Sequence, residues 1–258
     1  MQRRILIIDD HDDLATALEE VFTAIGHSVV ILENRADGLE ATNAEQFDLV
    51  ISDLDVQTPR QENLNGSTES DDAQHIKAFR VSAKGFRRDK FDESELKDAV
   101  ATVLDYKIRY VDKRDSVQHL LEHIEFEVPS ALSLMHIVLE YLMKRVEKLG
   151  VVKSEQSNLF VALDEAFVNA VKHGNKFDAT KLVRIAAEVS PTEARFTIED
   201  EGEGFDVNTI PDPLDPSNLF KTSGRGVLFI YNIMDEVQYN ERGNRLTMIK
   251  RSDRDTSA

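Results

Sequence analysis

Glu165 and Asn169 stand four residues apart in a segment of helical periodicity, which puts a carboxylate and an amide on one face about one turn apart. Such a pair can act together on one ligand, although either alone reads as part of a solvated polar face. A second group, Asp200-Glu201-Gly202-Glu203-Gly204-Phe205, follows a strand-like run that contains Phe196 and Ile198. Alternate glycines permit close backbone approach and positive φ, and an aspartate at a strand end can accept a hydrogen bond from a purine amino group. A third group, Ser223-Gly224-Arg225-Gly226, stands just before a helical pattern, where free backbone N–H groups and the helix dipole suit a phosphate. Far upstream, Asp9 and Asp10 end one apolar run and Asp53 ends another, which should gather three carboxylates at one edge of a parallel sheet.

These residues need elements to hold them, and the chain has two sets. Ile5 to Ile8 is an apolar strand run; Asp12 or Asp13 can cap a helix through Leu14, Ala17, Leu18, Val21, Phe22 and Ile25, with Gly26 as its stop. A strand at Ser28 to Leu32, a helix near Ala36 to Ala44 and a strand from Phe47 to Ile51 follow, an alternation that predicts an α/β domain with a parallel sheet. Gln57 to Gln74 is polar, without an apolar period, and reads as a loop or insert. Strand-like Ile76 to Val81 comes next, then a capping box of Asp92 and Glu95 opening a helix through Leu104.

The first domain is expected at 1–105, a linker or connecting helix at 106–122 and a second domain at 123–258. In the second, a strand at Ile124 to Val128 precedes helices near Ser130 to Leu149 and Ser154 to His173. Strands at Lys181 to Val189 and Glu193 to Glu199, a helix near Val227 to Met234, and strands at Val237 to Asn240 and Arg245 to Ile249 complete an α+β sandwich with a mostly antiparallel sheet. His173, at a helix end, reads as a cap or packing residue and is left out of the catalytic set.

Composition narrows the function classes. Hydrophobic residues at 41% and charged residues at 31% fit folded, water-soluble material. The net charge of -17 argues against nucleic acid and points to a protein partner. With no cysteine, disulfides, thiolate metal sites and cysteine nucleophiles are excluded. No apolar run approaches the roughly 20 residues that cross a bilayer, and a cytoplasmic location is expected.

The three motifs around Glu165 and Asn169, Asp200 to Gly204, and Gly224 to Gly226 resemble, in order and spacing, the N, G1 and G2 boxes of the GHKL (Bergerat) ATPase superfamily over about 124–251. Glu165-Ala166-Phe167-Val168-Asn169-Ala170, His173-Gly174-Asn175 and Met234-Asp235-Glu236-Val237 look like the anti-sigma-factor serine/threonine kinases of bacterial partner switching. The resemblance implies ATP and Mg2+ as cofactors, Asn169 as a Mg2+ ligand, Asp200 on the adenine amino group and Glu165 as general base. It makes Gly202, Gly204, Gly224 and Gly226 part of the nucleotide site, with Lys221 and Arg225 neutralising the γ-phosphate. It also implies an anti-sigma-factor antagonist as substrate, a sigma factor as a further partner, and a homodimer among the assemblies to test.

Residues 3–105 resemble a response-regulator receiver domain, in which Asp9 and Asp10 would hold Mg2+ with Asp53, the phospho-acceptor. Crowded carboxylates repel one another unless a cation intervenes, which suits that reading. The stretch from Asp53 to Lys84 is shorter than receivers carry, implying a missing helix and strand. Lys84 or Lys90 would supply the family's lysine, and Ser82 its switch hydroxyl. Two other classes compete with the kinase: a non-catalytic ATP-binding switch, and a histidine kinase, for which His119 and His123 lack the expected flanking pattern.

Overall fold

The computed structural model describes residues 1–10, 13–33, 46–58, 74–112, 121–153, 158–207 and 225–252. The expected helix near 36–44 lies outside them. The first strand, β1 (Arg4–Asp9), carries the apolar run, and Asp9 Oδ2 accepts bonds from the Leu14 and Ala15 amides at 2.9 Å, capping α1 (Asp13–Ala24). Both β2 (Ser28–Leu32) and β3 (Leu49–Thr58) pair parallel with β1.

Here the expected parallel sheet needs correction. The β3 strand does not stop at Asp53; it runs on to Thr58 and pairs antiparallel with β4 (Gln74–Ser82), Asp53 facing Phe79 across the ladder. The ends of the polar insert therefore belong to strands. Asp53 sits in mid-strand, where a side chain on the core face is covered by packing rather than presented at a sheet edge.

After β4 come a 3₁₀ turn (Lys84–Arg88) and α2 (Glu93–Tyr106). Asp92 caps α2 by accepting from the Ser94 amide at 2.9 Å, whereas Glu95 gives both oxygens to the buried Arg3 guanidinium, at 2.9 and 2.8 Å, instead of closing a capping box. The helix continues as a π-helical turn, Lys107–Asp112, and β5 (Leu121–Pro129) pairs parallel with β4. Among the described residues one sheet of nine strands, in the order β2-β1-β3-β4-β5 followed by the four strands of the second half, thus runs through both expected domains, and the segment expected as a linker contributes a helical turn and the start of a strand.

The second half has the expected antiparallel character. It contains α3 (Met135–Leu149), α4 (Leu159–Val168) with a π-helical extension (Asn169–Gly174), β6 (Leu182–Val189), β7 (Glu193–Asp200), α5 (Arg225–Ile233), β8 (Glu236–Tyr239) and β9 (Arg245–Arg251). Strict alternation in β7 buries Ala194, Phe196 and Ile198, and the same period carries Asp200 to that buried face. Phe79, Phe126 and Tyr141 join β4, β5 and α3 with ring centroids 5.5 to 6.3 Å apart. Such aromatic pairs add about 0.5–1.5 kcal/mol each beyond the area they bury. The core is therefore continuous beneath the sheet from β1 to β9.

Candidate functional site

A cavity of about 640 Å³ opens beside the C-terminal end of β7. Leu159, Ala162, Leu163, Ala166 and Phe167 bury the apolar stripe of α4, which turns Glu165 and Asn169 toward the cavity. Both side chains are half-buried, and among the described residues neither makes a side-chain hydrogen bond or ion pair. Their oxygens are thus available to a ligand. Helical hydrogen bonding widens at Asn169, and π-helical turns of this kind recur at functional sites.

Asp200 enters from the opposite wall. Its Oδ1 accepts the Gly202 amide at 2.8 Å, and burial pushes the carboxyl above its ordinary value, with that hydrogen bond opposing the shift. A Cβ on Gly174 would lie 2.2 Å from Asp200 Cγ, and one on Gly202 would lie 2.4 Å from the Gly174 carbonyl oxygen. Gly202 does not line the cavity; it supports Asp200 from behind. Gly204 has φ +78° and approaches the Arg242 carbonyl so closely that a Cβ would meet it at 1.9 Å. This glycine is required both by backbone conformation and by space.

Three residues given no role by sequence reasoning hold this frame. Asn175, fully buried, donates to the Leu182 carbonyl at 2.8 Å and accepts the Glu201 amide at 2.9 Å, fastening the turn after α4 to both strands. Asn244 donates to the Asp200 carbonyl at 2.8 Å, and its own carbonyl accepts the Asp200 amide at 3.0 Å. Arg242 donates to the Gly202 carbonyl at 2.8 Å. Asn175 is two residues from His173 in sequence, but its partners lie 7 and 26 residues away, beyond any local period. His173, Lys172, Lys176 and Arg245 line the cavity together with Glu203, which pairs with Lys176 at 3.6 Å. Ile198, Leu246, Phe205 and Tyr239 supply apolar wall; Phe205 and Tyr239 meet edge to face at 5.2 Å.

Gly226 also lines the cavity. Lys221 and Gly224 lie outside the described residues, and of Arg225 only its place as the first residue of α5 is described. The amide oxygen of Asn169, uncommitted among the described residues at the wall of the cavity, is of the kind a hard divalent cation takes.

The acidic trio is rearranged. Asp9 and Asp53 are register partners, but Asp9 caps α1 and Asp53 binds Lys107, with Nζ to Oδ2 at 2.5 Å. Asp10 is exposed and accepts the Asp55 amide at 2.8 Å. The expected three-carboxylate metal pocket does not form, and among the described residues no group of three or more His, Asp or Glu is placed to hold a metal ion. The side chain on Asp53 belongs to Lys107 rather than Lys84 or Lys90. Ser82 faces away from Asp53, donating to Glu127 Oε2 at 2.8 Å on the other side of the sheet.

Lys107 opens a buried ion chain. It lies 3.6 Å from Asp112, Asp112 lies 3.1 Å from Arg145, and Arg145 makes a bidentate pair with Glu122, Nε to Oε2 at 2.7 Å. The chain connects β3, the π-helical turn, α3 and β5. Asp53, Lys107, Asp112, Glu122 and Arg145 are each at most 6% exposed.

Residues 128–250 match the family model described as a histidine kinase-like ATPase domain. The chain is also similar to the Serine-protein kinase RsbW of Staphylococcus epidermidis, 27% identical over 142 residues that cover 52% of this chain and 89% of the relative. The Serine-protein kinase RsbW of Staphylococcus aureus (strain JH9) is 26% identical over 137 residues, covering 50% of this chain and 86% of the relative. The matched segment holds the whole cavity and leaves β1 to β4 outside it. Among the described residues no helix is long and apolar enough to cross a membrane.

Proposed function

We propose that this protein is an ATP-dependent serine/threonine protein kinase of the anti-sigma, partner-switching type. The observation that carries this reading is the convergence of Glu165, Asn169 and Asp200 on one cavity within the segment matched by the ATPase family model. Asp200 accepts the adenine amino group, Asn169 holds the Mg2+ of the nucleotide, and Gly204 lets the backbone approach the base. Gly224, Gly226 and the start of α5 receive phosphates, with Lys221 and Arg225 neutralising charge there. Glu165 takes the proton of the acceptor serine or threonine as its oxygen bonds to the γ-phosphorus and the bond to the ADP oxygen breaks. Phosphoryl transfer is chiefly positioning and charge stabilisation, which a rigid glycine-packed frame supplies. The acceptor is a small antagonist protein, with a sigma factor as a second partner and a homodimer as the assembly to test.

Asn169→Ala and Asp200→Asn are expected to weaken ATP binding in the presence of Mg2+ without unfolding the chain. Calorimetry checks this, and unchanged affinity in both variants would remove the assigned site. Binding without any transfer by the wild-type chain would favour a non-catalytic nucleotide switch.

The β1 to β4 unit is, in this reading, a receiver-like regulatory element with Asp53 as phospho-acceptor. The contact between Asp53 and Lys107 supports it, since a phosphoryl group brings up to about two negative charges against that ammonium. Lys107 would then be drawn from Asp112, loosening the connection to α3 and through it the nucleotide site. Acetyl phosphate is expected to label Asp53 and to change transfer rate or partner affinity in the wild type and not in Asp53→Ala. Occupancy of Asp53 with neither quantity altered would leave the unit a docking element.

A further inference from the structure

Glu165 lies on a helix that gives it no fixed partner. No hydrogen bond or ion pair holds its carboxylate among the described residues, yet proton transfer requires a defined position. What touches it is the backbone of α5. A Cβ built on Gly226 would lie 2.2 Å from Glu165 Oε2, 3.0 Å from its Cδ and 3.7 Å from its Cβ, so the side chain lies along the Gly226 Cα from root to carboxylate.

The backbone of Gly226 makes no demand for glycine. Its φ is not among the positive values found at Gly26, Gly150, Gly204 and Gly243, and it is the second residue of a helix, where glycine is among the poorest residues by propensity. Space is the remaining reason. An alanine here would hold the same helical conformation and drive the carboxylate away by roughly 1 Å, a displacement that can cost about 10²-fold in rate.

We infer that Gly226 is a positioning residue that seats the Glu165 carboxylate, in addition to any approach its backbone makes to phosphate. The inference rests on Glu165 acting as the base. It assigns the glycine a part in chemistry and separates two effects that one motif would otherwise merge. A glycine needed only for phosphate approach would, when replaced, weaken nucleotide binding; one that seats the base would also slow transfer once the site is saturated.

The test uses the full chain, calorimetry with ATP and Mg2+, and single-turnover release of phosphate from γ-labelled ATP, in which water replaces the hydroxyl acceptor. Gly226→Ala is expected, at saturating ATP, to release phosphate about 10²-fold more slowly, a loss beyond any weakening of ATP binding. Adding Glu165→Asp, one methylene shorter, should recover part of that loss, because the carboxylate withdraws from the new methyl group. Adding Glu165→Gln should make Gly226→Ala no slower than Glu165→Gln alone. A wild-type rate in Gly226→Ala while Glu165→Gln is slow overturns the inference and leaves the base intact. A wild-type rate in Glu165→Gln overturns the reading of the base itself. If Gly226→Ala is poorly folded or binds ATP weakly, Glu165→Asp must restore its melting temperature or affinity; failure to restore either assigns Gly226 to the backbone or the phosphates alone.

Discussion

Arg145→Met is expected to destabilise the protein by about 3–5 kcal/mol, the usual cost of removing one partner from a buried ion pair. Methionine keeps much of the volume, so the loss is electrostatic: Glu122 loses both of its bonds from Arg145, and Asp112 loses a cation at 3.1 Å. Asp112 would then keep Lys107 at 3.6 Å, an ammonium that also binds Asp53. Urea unfolding followed by circular dichroism measures the shift. A change below about 1 kcal/mol would mean that the pair is solvated in solution and behaves as a surface bridge.

The effect carries a pH signature. Burial raises the Asp112 carboxyl above its ordinary 3.8, with Lys107 and Arg145 opposing the shift, so removing Arg145 raises it further. A carboxyl raised in the folded state binds its proton more tightly there. Its contribution to stability is complete below the unfolded value and is lost as pH rises through the folded one. Arg145→Met should therefore differ least from the wild type below pH 3.8 and increasingly as pH rises through the folded value.

Glu165→Gln should bind ATP as the wild type does and transfer phosphate roughly 10²-fold more slowly, since the amide keeps the size of the side chain and cannot take a proton. Calorimetry and single-turnover transfer to a candidate antagonist separate the two quantities. Transfer at the wild-type rate would show that Glu165 only shapes the cavity wall. Asn169, one turn along, serves as the contrasting position: its loss should fall on binding.

Much of the local structure was legible in the sequence. The apolar run of β1, the stripe of α1, the alternation through Phe196 and Ile198, and the glycine loops each announce their element within a dozen residues. The cavity was legible because its main groups stand at element ends. Asp200 closes β7, Gly226 lies in the first turn of α5, and Glu165 with Asn169 share a helical face.

The course of β3 and β4 was not legible. Periodicity of two identifies a strand without its direction, and the antiparallel pairing that leaves Asp53 in mid-strand is set by the ladder. The ion chain left a fainter signal. Lys107 continues the spacing of Val100, Val103 and Leu104, and Glu122 shares the alternation of Ile124, Phe126 and Val128, so each is a charge at a position where burial is due. Read as charges, they suggested a linker; read as positions, they belonged to the core.

By itself the sequence determined most of the strands and helices among the described residues and the residue types brought to the cavity, because helical and strand periods and glycine-rich turns are properties of neighbouring residues. Only the tertiary structure decided which charges meet. Asp53 faces Lys107 rather than Asp10, Ser82 faces Glu127, and Asn175 reaches Leu182 and Glu201, all through strand register and helix packing. A buried charge must find a partner wherever the folded chain supplies one, and that requirement acts through space, not along the sequence.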